Sequence, residues 1–167
     1  YMYSHVAAAH ASKEVEEEQD TYPVKIAAFH LVKRADDIVA LRDTLRSGCD
    51  TLFVDSLEGI LGSDSKPMNN IEVVALLDRT FPGPILGGNR YQVEQGAWAA
   101  VVKTGQEQGE ISADMLLRAM RGTPVLEIPV TRNYRGQRML NITAIDGHSI
   151  LLRPTVLRGA TLVRQKP

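Results

Sequence analysis

Thr51-Leu52-Phe53-Val54-Asp55-Ser56 sets the reading of the whole chain. Four residues rich in β-branched and aromatic side chains stop abruptly on a carboxylate and a hydroxyl. Such a short apolar run suits a strand buried on both faces. Upstream, Asp36 and Asp37 open a helix to about Arg46, with Ile38, Leu41 and Leu45 as its stripe and Ser47-Gly48 as its stop. Downstream, Asn69 or Asn70 starts a helix carrying Ile71, Val74, Leu76 and Leu77, which ends near Phe81-Pro82-Gly83. Pro84-Ile85-Leu86 reads as the next strand and Gly87-Gly88-Asn89 as its exit.

Strand and helix therefore alternate. The pattern extends back to Val24–Leu31, read as a strand, and forward through helices at Gln92–Val102 and Ser112–Met120, the second stopped by Gly122-Thr123-Pro124. This order predicts a Rossmann-like, doubly wound α/β fold with a mostly parallel sheet and helices on both faces. At the start, Ser4 is placed to cap a helix to about Gln19, broken by Tyr22-Pro23. The region Gly59–Ser65 is a loop with room for one helical turn. Near the end, Glu127–Thr131 and Arg138–Ile142 are expected as strands joined across Asn133–Gly136. A short helix from Pro154 and a strand at Thr161–Val163 follow.

Composition narrows the function. The 167 residues carry a net charge of −1, which provides no general attraction for nucleic acid or anionic membrane, so no nucleic-acid partner is expected. The single cysteine, Cys49, permits no internal disulfide and reads as a small core residue rather than a nucleophile. No stretch reaches the roughly 20 apolar residues of a membrane span. The phosphate-loop, dinucleotide, zinc-protease and nucleophile-elbow motifs are absent. His5 and His10 diverge around a helix, and His30 and His148 are isolated, so no metal or other cofactor is expected. Ser63–Lys66 and Lys103–Gly105 match fragments of serine-acylase signatures, but Pro67 disfavours helix at Lys66 and the middle motif is missing.

In parallel sheets ligands meet the loops beyond the carboxyl ends of the strands. Here those loops begin at Val32-Lys33-Arg34, Asp55-Ser56 and Gly87-Gly88-Asn89-Arg90. Two glycines allow close backbone approach, and Asn89 both donates and accepts hydrogen bonds. Asp55 and Asn89 equally suit a plain role as caps of the turns that follow. Trp98, among Gly96, Ala97, Ala99 and Ala100, is expected to pack within a helix rather than stack on a ligand.

Ordered across the chain, several segments resemble the carboxy-terminal part of ABC-transporter substrate-binding proteins with a type I periplasmic-binding fold, the group with tryptophan- and tyrosine-binding members. They are GCDTLFVDS (Gly48–Ser56), GPILGGNRYQVEQGAWAAV (Gly83–Val101), Gly109, AMRGTPVLEIPV (Ala119–Val130) and LNITAIDGHSILLRPTVLRGAT (Leu140–Thr161). Asn141, Pro154, Leu157 and Ala160 keep the spacing of the last pattern. Two departures stand out: Ser149 replaces a glycine, and Lys103-Thr104 occupies the place of a cleft aspartate. The resemblance implies one α/β lobe over residues 1–167, the second lobe of a two-lobed binding protein or a stand-alone sensor domain. It implies a non-enzymatic protein that binds a small polar, amino-acid-like solute outside the cytoplasm. A membrane permease or a signalling module would be its partner, and a homodimer is a further option. By position, Asp55, Ser56, Gly88, Asn89, Arg90 and Thr104 face the ligand, with Asp55 holding an amine and Asn89 a carboxylate or carbonyl. The alternative is a small flavodoxin-like or sugar-phosphate enzyme using the same loops.

Overall fold

A computed structural model describes residues 1–4, 11–148 and 150–164. Seven strands form one sheet: β1 (Met2–Ser4), β2 (His30–Val32), β3 (Leu52–Val54), β4 (Ile85–Gly87), β5 (Ala99–Val102), β6 (Gln137–Asn141) and β7 (Thr161–Val163). Their order is β2-β1-β3-β4-β5-β6-β7. Every pairing is parallel except β5 with β6. The expected parallel α/β sheet is thus present. β2 and β3 do not pair directly, because β1 lies between them.

The helices are α1 (Ala11–Glu18), α2 (Ala35–Ala40), α3 (Arg42–Gly48), α4 (Asn70–Thr80), α5 (Arg90–Gln95), α6 (Gly105–Met120), α7 (Ile142–Asp146) and α8 (Pro154–Leu157). The main core lies between one sheet face and α2, α3 and α4. Met2, Val32, Leu52, Val54 and Ile85 meet Ile38, Leu45, Val73 and Leu77 there, all nearly inaccessible. α4 begins where Asn69 accepts the Glu72 N–H at 2.9 Å and Glu72 in turn accepts the Asn69 N–H at 2.9 Å, satisfying two donors that a helix start leaves open. On the opposite sheet face Leu31, Phe53, Val101 and Leu162 remain exposed.

Several expectations are corrected. Val24–Leu31 is not a buried strand; only His30–Val32 pairs, at the sheet edge, and Val24 is exposed. The helix expected at Gln92–Val102 is α5 followed by β5: Gly96, at φ 135°, stops α5 in a conformation that favours glycine. Trp98 therefore precedes a strand instead of lying in a helix, although it is buried against Leu140, Ile142 and Ile145. The helix expected from Ser112 starts at Gly105, capped by Thr104. Glu127–Thr131 contains no strand: Val125–Glu127 is a 3-10 turn, and β6 pairs with β5. The helix expected from Asp36 is interrupted at Leu41 into α2 and α3. Residues 59–65 hold turns and an isolated bridge without a helical turn. Ser4 closes β1, its N–H donating to the Ser56 carbonyl at 3.0 Å, and the helix start it was expected to cap falls outside the described residues. The first part of the helix expected after Ser4, the histidines His5 and His10, and Ser149 lie outside the described residues.

Candidate functional site

β1, β3, β4 and β5 run parallel, so their carboxyl ends share one edge of the sheet. Asp55-Ser56 leaves β3 and Gly88-Asn89-Arg90 leaves β4 at that edge. The two exits touch. A Cβ built on Gly88 would lie 3.5 Å from Asp55 Oδ1, and the Gly88 N–H donates to the Val54 carbonyl at 3.0 Å. Asp55, Ser56, Gly88 and Asn89 are all half-buried.

The organiser of this edge is Gln92, which sequence reasoning missed. It is buried in the first turn of α5. Its Nε2 donates to the Asp55 carbonyl at 2.5 Å, and its Oε1 accepts the Asn89 N–H at 3.0 Å. One amide thus ties the β3 exit to the β4 exit. The spacing Asn89-x-x-Gln92 is a helix-start signal and was the clue available in the sequence. Gly87 is explained by the same residue: any side chain there would press on Gln92, with a Cβ only 2.8 Å from Oε1. Neither Gly87 nor Gly88 has a positive φ, so close packing rather than an unusual backbone is their role.

Asp55 is oriented by two donors. Tyr1 Oη donates to Oδ2 at 2.5 Å and the Ser56 N–H donates to Oδ1 at 2.8 Å. Burial, followed by this contact with Asp55, pushes the Tyr1 phenol above its usual range. The Tyr1 ring stacks on Phe53 with centroids 5.1 Å apart, placing an aromatic surface beside the carboxylate. Asp55 and Glu58 form no ion pair among the described residues, so this edge carries unpaired negative charge suited to a cation.

The remaining two candidates sit differently. Arg90 is exposed and its Nε donates to Glu94 Oε1 at 2.8 Å, which directs it along α5. Thr104 lies at the exit of β5 on the same edge, where its Oγ1 accepts the Glu107 N–H at 3.2 Å as the cap of α6. No contact joins Thr104 to Asp55 or Asn89 among the described residues. The acylase fragment also dissolves: Ser63–Lys66 is a turn, with Ser65 at φ 63°, not one face of a helix.

A second missed residue is Glu107. Its buried carboxylate accepts N–H groups from Tyr134 and Arg135 at 2.8 Å each and from Gly136 at 3.1 Å, with Asn133 Nδ2 at 3.3 Å. These donors, the Arg135 N–H foremost, hold its pKa down at about 2 against the desolvation that opposes them. The chain leaving β5 and the chain returning to β6 are thereby fastened together at the base of α6. Beyond that base, Leu116, Leu117, Met120, Val125 and Leu126 are exposed. No described helix is long and apolar enough to cross a membrane.

Comparison with known proteins agrees with this architecture. Solved structures that share the fold include the following three. A substrate-binding protein with adhesive properties from Clostridium difficile, in its ligand-free, open form, aligns with TM-score 0.69 and 14% identity over 99% of this chain and 53% of its own. A Streptococcus pneumonia ABC domain in complex with L-Trp aligns with TM-score 0.62 and 20% identity over 97% of this chain and 53% of its own. A conserved domain protein from Vibrio cholerae O1 biovar El Tor aligns with TM-score 0.60 and 14% identity over 98% and 54%. This chain therefore spans about half the length of each of these structures. No curated protein sequence matches it. The family model for ABC transporter substrate binding proteins matches residues 60–164, which cover the α4–β7 region including the β4 exit and the Glu107 staple, and the chain accordingly belongs to that family.

Proposed function

We propose that this chain is one lobe of a two-lobed, non-enzymatic solute-binding protein, and that the edge formed by Asp55, Ser56, Gly88 and Asn89 is its ligand-facing wall. The observation that carries this reading is the contact between the two strand exits, locked by Gln92 at the carboxyl end of a parallel sheet. Asp55 supplies a carboxylate for the ammonium of a small amino-acid-like solute, and Asn89 supplies an amide for its oxygen. Thr104 faces the same crevice from the β5 exit. Arg90, paired with Glu94, stands at the rim.

The apolar residues beyond the base of α6 support the two-lobed reading. Leu116, Leu117, Met120 and Leu126 are exposed on this half, and a second lobe resting there would cover them. The bound L-Trp belongs to the pneumococcal relative; its chemistry, an ammonium beside a carboxylate, fits the charge at this edge. The whole protein would act outside the cytoplasm, delivering solute to a membrane permease or reporting it to a signalling module. A second copy of the chain is the alternative source of the opposite wall.

A ligand that binds the folded chain raises its melting temperature. A thermal-shift panel of the twenty L-amino acids and their carboxamides at millimolar concentration is expected to give at least one stabilising probe. Asp55→Ala and Asn89→Ala should each abolish that shift while leaving the unliganded melting temperature within a few degrees. Undiminished shifts in both variants would refute the assignment of this edge.

A further inference from the structure

Residues 147–167 contain no aspartate or glutamate, while Arg153, Arg158, Arg164 and Lys166 all fall there. The net charge of −1 hides this bias, because acidic residues such as Glu16, Glu17, Glu18 and Asp20 balance it from the other end of the chain. The fold turns the bias into a surface. Leu152, Leu157 and Ala160 pack inward on Trp98, Leu140, Ile142 and Ile145. The residues between them are left outside. Leu151 is 96% exposed, and Ile150 and Val156 are exposed as well. Arg153 and Arg158 are exposed beside them. Arg138 reaches the same place from β6, its Nη2 donating to the Arg158 carbonyl at 2.7 Å.

An exposed leucine alone is ordinary, and so is an exposed arginine. Here they alternate, and no ion pair among the described residues uses Arg138, Arg153 or Arg158. Apolar side chains among uncompensated cations match a partner that is both apolar and anionic. An anionic phospholipid surface is both. Leucine and valine enter the boundary of the acyl chains, while arginines lay their stems along it and hold their guanidinium groups at the phosphates. The acidic helix α1 of a second copy answers only the charge. Next to Glu16, Glu17 and Glu18 it offers a single half-buried Val15 to the exposed leucine and valine.

We propose that the outer surface of residues 150–158, together with Arg138, docks on an anionic phospholipid membrane surface. None of these residues belongs to the β3 or β4 exit, so the inference does not rest on the reading of Asp55 and Asn89 as a binding edge. It adds a second surface to the chain, one that holds it at a membrane face.

The test is co-sedimentation of the full chain with vesicles of phosphatidylcholine alone or mixed with phosphatidylglycerol. Each is run at low salt and at about 1 M salt, where screening confines charge attraction to about 3 Å. Binding is expected to the anionic vesicles at low salt, and at least about tenfold weaker binding to neutral vesicles or at high salt. One arginine at such a surface contributes about fivefold, so Arg153→Gln combined with Arg158→Gln should weaken binding by about 25-fold. Leu151→Ser should weaken it by about tenfold through lost apolar burial. Arg153→Lys combined with Arg158→Lys keeps the charge and should stay within about threefold of the wild type. Because these side chains are exposed, every variant should melt close to the wild type. No binding to anionic vesicles, equal binding to both compositions, binding insensitive to salt, or undiminished binding by the glutamine or serine variants overturns the proposal. Analytical ultracentrifugation without vesicles covers the competing occupant. A salt-sensitive dimer that the two glutamine substitutions abolish, with no vesicle binding, assigns the surface to a second copy and overturns the membrane reading.

Discussion

Gly87 and Gln92 form a pair whose energetics follow from their contact. A Cβ on Gly87 would sit 2.8 Å from Gln92 Oε1 and 2.9 Å from Gln92 Cβ, closer than real side chains approach. The Gln92 Cβ belongs to a backbone-fixed position, so the clash is not relieved by rotating a flexible tip. Gly87→Ala must either shift α5 away from β4 or expel the Gln92 amide. Overpacking of this kind costs about 1–3 kcal/mol. Expelling the amide also breaks its bonds to the Asp55 carbonyl and the Asn89 N–H, each worth about 0.5–1.5 kcal/mol net. Gly87→Ala should therefore destabilise by about 2–4 kcal/mol, lowering the melting temperature by about 5–15 °C in a chain of this size. Gln92→Ala removes the clashing atoms beyond Cβ and the two hydrogen bonds together, so most of what Gly87→Ala can damage is already gone. In that background the second substitution should cost about 1 kcal/mol less than it does alone or better. Urea unfolding of the wild type, both single variants and the double variant closes the cycle. Additive effects within about 0.5 kcal/mol, or a harmless Gly87→Ala, would refute the proposed packing.

Two further predictions concern stability. Glu107 has a folded pKa of about 2, depressed below its ordinary 4.5, so its contribution is complete above pH 4.5 and declines as the pH falls from there toward 2. Glu107→Gln should lower the urea midpoint at pH 7 and flatten the acid limb between those limits; an acid limb identical to that of the wild type would contradict the staple. Trp98 is buried against Leu140, Ile142 and Ile145, with its ring 4.4 Å from that of His148. Trp98→Ala should cost about 3–5 kcal/mol, and a wild-type melting temperature for that variant would show the packing to be misjudged.

What the sequence disclosed divides along physical lines. Leu52–Val54 and Ile85–Gly87 were legible because central parallel strands are nearly continuous apolar runs, and the chemistry at their ends follows from topology. Ala99–Val102 was hidden because alanines favour helix intrinsically, and only pairing with β4 and β6 makes them a strand. The one local sign was Gly96, which reads equally as a packing glycine or a helix stop. Val24–Leu31 erred in the other direction: its composition suits a strand, but an edge position offers one neighbour, and only three residues pair. In the site, Asp55 and Asn89 were visible as strand-end polar residues. Gln92 and Glu107 were not, since each matters through a partner distant in sequence, 37 residues away for Gln92 and 26 to 29 for Glu107.

The fastening at Glu107 also governs how change is tolerated. Residues 105–133 leave the sheet and come back to almost the same point, closed by hydrogen bonds to one carboxylate. Such an excursion behaves as a bracket with a welded mouth. Lengthening, shortening or tilting what lies inside it leaves the spacing of the two feet unaltered, and hence the antiparallel register of β5 and β6. The chain can thus vary the face that α6 offers to its surroundings while the loops at the strand ends keep their spacing. Sequence change in the excursion and precision at the strand ends are mechanically separate.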